Sequence, residues 1–246
     1  MSVMTANPVV AIDAGNTRIK WGLHNGAGWA DKGVLATSDA AWLSDAADEW
    51  PLNARVVVCN VAGPMVGETI TRRLAERFRD LVWLHASAQA CGVRNAYERP
   101  EQLGADRWAA LIGARSQMAG ACLVVCAGTA TTIDLLDAAG EFRGGLILPG
   151  FDLMRAALAH NTAQLPLAEG AFCATPRNTM DAIVSGCIHA QAGAIERMYA
   201  SIANEPGAVC LLTGGSSARL APHLNIPMLL TDNLILDGLV RFGASL

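Results

Sequence analysis

The chain has 246 residues, 52% of them hydrophobic and 16% charged, with a formal net charge of −4. That length allows one large or two modest domains, each with a core of its own. The acidic balance and the lack of a basic cluster exclude a nucleic-acid surface, and no apolar run reaches the roughly 18 residues of a membrane-spanning helix.

Met1–Pro8 lacks a basic region followed by an apolar run, so no secretory leader is expected. Val9–Ile12 is an apolar run that ends in Asp13-Ala14-Gly15-Asn16-Thr17, and Arg18–Leu23 continues as a second strand closed by the turn signal Asn25-Gly26. Ala40–Trp50 reads as a helix and Arg55–Val61 as a buried strand. Gly63–Arg79 reads as a helix, with apolar residues at 66, 70, 74 and 78. Leu81–His85 is a further strand, Tyr97–Gly104 a loop around Pro100, and Ala105–Met118 a helix.

After Gly120 the pattern begins again. Cys122–Ala127 is a strand, Gly128–Thr131 a turn and Thr132–Leu136 a strand. A turn at Ala138–Gly140 leads into the strand Arg143–Leu148, and Pro149-Gly150 into the helix Phe151–His160. Asn161–Asn178 reads as irregular and Thr179–Ser201 as a long helix. Val209–Thr213 is a strand that runs into Gly214-Gly215-Ser216-Ser217 and a short helix. Pro227–Thr231 is the last strand and Leu234–Phe242 the last helix. A strand, a glycine turn and a second strand, occurring once in each half, predict two similar domains, residues 1–118 and 119–246, facing a cleft.

Within Asp13–Lys20, Gly15 permits a tight turn and close backbone approach. Asn16 and Thr17 add donors, and Lys20 is a point charge for phosphate. Asp13 would repel phosphate unless a cation lies between, which suits Mg²⁺. The same residues also make an ordinary hairpin turn, and neither the Walker loop nor the dinucleotide fingerprint is present. Gly128–Thr132 offers a flexible backbone and three hydroxyls for a second phosphate loop, although threonine is also simply a good strand residue. Gly214-Gly215 could let an adenine or ribose lie against backbone, or could be a strand-to-helix turn capped by serine. In Gly104-Ala105-Asp106-Arg107, Asp106 could take a proton from a hydroxyl and Arg107 could fork a carboxylate. Equally, Asp106 could cap the helix and Arg107 point to solvent. Asp134 could face the cleft or be a strand residue near a turn. The five histidines show no metal-ligand pairing.

The seven cysteines, at 59, 91, 122, 126, 173, 187 and 210, are odd in number and form no Cys-x-x-Cys. Cys122 and Cys126 would stand about 13 Å apart along one strand, too far to bridge. Buried thiols in a reducing cytoplasm are expected.

Several stretches together resemble the type III pantothenate kinases over nearly the whole chain. They are Asp13–Thr17 with Lys20, Tyr97 with Pro100 and Leu103–Arg107, Ala127–Asp134, Gly144–Gly150, Thr162–Pro166, Asn178–Ile183 and Thr213–Gly215. The resemblance implies an α/β fold of two duplicated ribonuclease-H-like, actin-like ATPase domains flanking a nucleotide cleft. It implies ATP-dependent phosphorylation of pantothenate, the first step of coenzyme A biosynthesis, in a cytoplasmic homodimer. Asp13, Ala14, Gly15, Asn16, Thr17, Arg18, Ile19 and Lys20 would hold the ATP phosphates with Mg²⁺ near Asp13, and Thr129 would contact ATP. Tyr97, Gly104, Ala105, Asp106 and Arg107 would line the pantothenate pocket, with Asp106 as proton acceptor and Thr179 reaching substrate from a partner subunit. The family also uses potassium or ammonium, held by an Asp that opens the second loop. Here that place is Cys126, a poor ligand for a hard cation, so no potassium ligand is assigned. A different acceptor on the same fold, or a nucleotide-binding regulator of the Bvg accessory factor type, are the alternatives.

Overall fold

Six buried residues in a row, Val9–Ala14 (β1), cannot alternate in and out of a core; such a strand must be covered on both faces. A computed structural model describes residues 7–167 and 169–246. The start of the opening segment, residues 1–6, and residue 168 of the irregular segment lie outside the description. β1 is the central strand of a five-stranded sheet. It pairs antiparallel with Arg18–His24 (β2), which pairs antiparallel with Trp29–Ala36 (β3). On its other side β1 pairs parallel with Arg55–Asn60 (β4), and β4 with Leu81–Trp83 (β5).

The second half repeats this plan. Cys122–Ala127 (β8) pairs antiparallel with Ala130–Leu136 (β9), and β9 with Glu141–Pro149 (β10). Val209–Thr213 (β11) lies parallel to β8, and Met228–Leu230 (β12) parallel to β11. An antiparallel three-strand meander extended by two parallel strands, twice in one chain, is the duplicated ribonuclease-H-like α/β fold expected. Gln89–Ala90 (β6) and Val93–Asn95 (β7) form a small extra hairpin.

The helices cover these sheets by amphipathic packing. Leu43–Ala47 (α1) follows a 3₁₀ turn at Thr37–Trp42 where a longer helix was expected, because Asp39 takes non-helical dihedrals. Pro64–Leu74 (α2) starts on a proline, whose missing N–H costs nothing at a helix start. It stops short of Arg79, although Ile70, Leu74 and Phe78 all reach the core. That core stacks Trp50 between Trp21 and Phe78, with ring centroids 5.2 Å and 5.9 Å apart. In the second half, Phe151–Asn161 (α4), Thr179–Tyr199 (α5) and the short Ser217–Leu220 (α6) accompany the sheet, and α5 supplies Ala192, Ile195 and Tyr199 to its core.

Two compact units result, one running to Ala119 and joined by Asn233–Leu246, the other Gly120–Asp232. The division differs from the expected 1–118 and 119–246 at the last helix. Leu234–Gly243 (α7) packs against Ala105–Gln117 (α3) and against β1 and β4. The two helices meet through glycine. A side chain on Gly113 would run into the Leu234 carbonyl, and one on Gly238 into the Ala109 carbonyl. Burial of α3 on nearly every side, Arg107 through Ala114, follows from this contact.

Candidate active site

The hydrogen-bond register of β1 places Asp13 between Lys20 on β2 and Cys59 on β4. Asp13 is buried, and the Cys59 thiol donates to its Oδ1 at 3.5 Å. Burial pushes the Asp13 carboxyl up to about 6; the negative charge of Asp106 adds to this, and Lys20 and the Cys59 hydrogen bond pull it down. Cys59 is held well above an ordinary thiol by burial and by the same two carboxylates, so it stays a neutral donor. Beyond Asp13 the turn is fixed by backbone. The Gly15 N–H bonds the Arg18 carbonyl at 3.1 Å, and Thr37 Oγ1 donates to the Gly15 carbonyl at 2.7 Å. Asn16, Thr17 and Arg18 are left exposed at the tip.

Asp106 lies in the first turn of α3, and its charge is felt at Asp13. It does not cap the helix by bonding across the turn. Its Oδ1 accepts the neighbouring Arg107 N–H at 2.8 Å, and a side chain on Gly104 would sit 2.7 Å from that oxygen. Gly104 therefore leaves the room the carboxylate occupies. Burial raises Asp106 above the usual carboxylate range, opposed by the Arg107 N–H and guanidinium. Arg107 is buried, not solvent-facing, and its Nη1 donates to Tyr97 Oη at 3.1 Å with the guanidinium 5.8 Å from the ring centroid. One unit thus brings together Asp13, Lys20, Asp106, Arg107 and Tyr97.

Thr129 and Thr179 belong to the other unit. Exposed Thr129 lies in the β8–β9 turn, where its carbonyl accepts from the Gly150 N–H at 2.8 Å. Gly150 has no space for a side chain against Gly128, and Gly214, at φ +102°, has none against Ala127, so three segments meet at the end of β8. Of the three hydroxyls expected to face phosphate, Thr131 instead turns into the core and donates to Gln191 Oε1 at 2.8 Å. Thr132 Oγ1 is buried with no partner among the described residues, a donor left over beside this loop. Asp134 is buried within β9, and Asp137 Oδ1 accepts the Glu141 N–H at 2.9 Å to shape a turn. Thr179 is exposed at the first position of α5, after Asn178 caps that helix by accepting the Asp181 N–H at 2.9 Å.

A cavity of about 460 Å³ opens beside α6 in this second unit, lined by Phe151, Arg155, Phe172, Arg219 and His223 among others. The Arg155 and Arg219 guanidiniums stand 5.4 Å and 4.1 Å from the Phe151 ring centroid, and His223 stacks on Phe172 at 3.9 Å. No motif marks this cavity in the sequence, because its lining comes from α4, the irregular segment, α5 and the residues after Gly215. Cys59, read in the sequence only as a buried thiol, and Asn95 carry no motif of their own.

Donor chemistry separates the two implied cations. Asp13, a buried carboxylate that also feels the negative charge of Asp106, suits a hard divalent ion, since Mg²⁺ needs only one or two protein carboxylates. Cys126 stands in register with Thr132 and Thr213, a row of one thiol and two hydroxyls without a carboxylate. That set does not fit a monovalent hard cation.

Comparisons with known proteins agree on one family. The family model for type III pantothenate kinase matches residues 9–201. A type III pantothenate kinase of Aromatoleum aromaticum is 57% identical over 94% of this chain and 96% of its own length. That of Dechloromonas aromatica is 49% identical over 94% and 97%. Among solved structures, a candidate Baf family transcriptional activator from Campylobacter jejuni superposes with a TM-score of 0.61 at 21% identity, over 95% of this chain and 96% of that one. A candidate 2-dehydro-3-deoxygalactonokinase from Sinorhizobium meliloti does so at 0.59 and 18%, over 96% and 97%. At such identity these two share the fold alone.

Proposed function

The chain belongs to the type III pantothenate kinase family, and from that membership we propose how its residues carry out the ATP-dependent phosphorylation of pantothenate that opens coenzyme A biosynthesis. The observation that carries the mechanism is a pair of carboxylates each raised by burial, Asp13 at a strand end, which also feels the charge of Asp106, and Asp106 at a helix start. Asp106 is the proton acceptor. A carboxylate raised by burial accepts a proton from an alcohol more readily as the oxygen attacks.

The Asp13–Lys20 turn holds the phosphates, with exposed backbone and side-chain donors at its tip and Lys20 as a point charge. Thr129 contacts the nucleotide from the second loop. The adenosine takes the cavity beside α6, whose guanidinium and aromatic planes suit stacking of a flat base. Pantothenate lies along Tyr97, Gly104, Ala105, Asp106 and Arg107, with Arg107 serving the substrate carboxylate. Its primary hydroxyl loses a proton to Asp106 as the oxygen bonds to the γ-phosphorus and the bond to the β–γ bridging oxygen breaks, releasing ADP. Asp13 would hold Mg²⁺, which when bound supplies positive charge to the phosphate oxygens. Nothing is routed through a monovalent cation, because the residues around Cys126 do not fit one.

A homodimer is the assembly we favour. Leu153 and Leu158 on α4, Ile147 on β10 and Leu167 are large apolar side chains left exposed in one unit, and Thr179 is exposed in the same unit. A reducing cytoplasm is supported by cysteines set in buried or half-buried surroundings as free thiols. No helix among the described residues is long and apolar enough to cross a membrane. Neither a different acceptor nor a regulatory role is favoured, since the relatives of high identity carry one activity in their names.

Asp106→Asn tests the assignment. Loss of a general base lowers kcat by about 10²- to 10⁴-fold, while nucleotide affinity stays within about twofold. Near-normal turnover by the variant would mean that another group takes the proton.

A further inference from the structure

We propose that Asn95 is a positioning residue for the acceptor: its side-chain amide staples the segment that presents Tyr97 to Arg107. This rests on the reading that Tyr97 and Arg107 line the pantothenate pocket.

Asn95 is the last residue of β7 and is buried, an uncommon setting for an amide unless it is fully used. Both ends of the amide are spent on one short stretch of chain. Oδ1 accepts the Tyr97 N–H at 3.1 Å, and Nδ2 donates to the Pro100 carbonyl at 3.1 Å. The Asn95 backbone N–H is tied separately to the Ala88 carbonyl at 2.9 Å, which fixes the residue to the β6 side of its hairpin. The stretch it holds has little regular structure. Between β7 and α3 there is only a single 3₁₀ turn, Pro100–Gln102. At the near end of that stretch Tyr97 receives the Arg107 guanidinium, and at the far end Gly104 makes room for Asp106.

The chemistry required at position 95 is narrow. One acceptor must face an N–H and one donor must face a carbonyl, from a side chain of one methylene. Asparagine supplies both. Aspartate keeps the acceptor but sets a negative oxygen against the Pro100 carbonyl. Alanine supplies neither: the Tyr97 N–H loses this acceptor, and the Pro100 carbonyl keeps only the Leu103 N–H at 3.2 Å. The order of damage is therefore alanine above aspartate, and it falls on the acceptor side of the reaction.

The test measures steady-state KM and kcat for pantothenate, and Kd for a non-hydrolysable ATP analogue, in the full chain and in Asn95→Ala, Asn95→Asp and Tyr97→Phe. Asn95→Ala is expected to raise KM for pantothenate tenfold or more. Asn95→Asp should raise it by a smaller factor, and both should leave the nucleotide Kd within twofold and kcat within about threefold. Tyr97→Phe should raise the same KM, since it removes the hydroxyl that Arg107 meets. If Asn95→Ala cannot be obtained folded, Asn95→Asp carries the same comparison. If Tyr97→Phe raises KM while both Asn95 variants leave it unchanged, the positioning role is overturned and the pocket assignment stands. If Tyr97→Phe leaves KM unchanged, the pocket assignment falls and this inference with it. An equal rise in pantothenate KM and nucleotide Kd would show general loosening and would also overturn it.

Discussion

At the scale of single residues, the proposed site rests on two acids placed where acids are costly. The Asp13 carboxyl sits near 6 in the folded chain against 3.8 for the ordinary group. The unfolded chain therefore gives up this proton first as pH rises, and folding opposes ionisation. Asp13 stabilises the fold most below pH 4, and that advantage is lost as pH rises to 6, by about 3 kcal/mol in total. Urea unfolding of the ligand-free protein and of Asp13→Asn, at pH 4.5 and 7.5, should show the wild type losing stability relative to the variant at the higher pH. A parallel pH response in the two proteins would contradict the burial cost. Gly104 makes a second residue-scale prediction. Alanine fits its dihedrals, φ −57° and ψ 137°, but its methyl would take the space of Asp106 Oδ1. Gly104→Ala should lower kcat about tenfold or more by moving the carboxylate, with a melting temperature within a few degrees of wild type.

At the scale of elements, what the sequence reveals tracks how strongly an element is buried. The restarted strand patterns at Val9 and Cys122, α2 with its apolar spacing of four, and α3 and α5 are all legible because their burial is periodic or continuous. Trp29–Ala36 escaped notice because β3 is an edge strand, mostly exposed, with Asp31, Lys32 and Gly33 in its middle. The β6–β7 hairpin escaped because its turn places Cys91 at φ +50° beside Gly92, where asparagine or glycine would give the usual signal. Asn95 was invisible for a related reason: in sequence an isolated asparagine reads as a turn residue, and only the fold shows both ends of its amide engaged. Pairing of α3 with α7 could not be read from neighbours in sequence either, yet it depends on two glycines. Gly238→Ala would drive a methyl into the Ala109 carbonyl, which is backbone and cannot swing aside. Overpacking of this kind costs about 3 kcal/mol, so the variant should unfold at clearly lower urea concentration. An unchanged midpoint would mean that the helices separate without cost.

At the scale of the whole molecule, duplication is the feature that sequence and structure share. Each half has the strand order of a meander extended by two parallel strands, and each opens with a glycine turn after its first strand. The halves differ in what that turn carries. The first presents Asp13 and Lys20, whereas the second begins with Cys126 and spends Thr131 on its own core. In the proposed reading the first loop carries the charges and the second mainly backbone donors. The central claim, that these loops serve transfer of phosphate from ATP to pantothenate, is tested most directly by the products. The purified protein is incubated with ATP, Mg²⁺ and pantothenate, and the phosphorylated species is identified by mass and by phosphorus NMR. One ADP is expected for each 4′-phosphopantothenate, with loss of both in Asp106→Asn. Turnover of ATP that leaves pantothenate unmodified, or phosphate appearing on a hexose in its place, would contradict it.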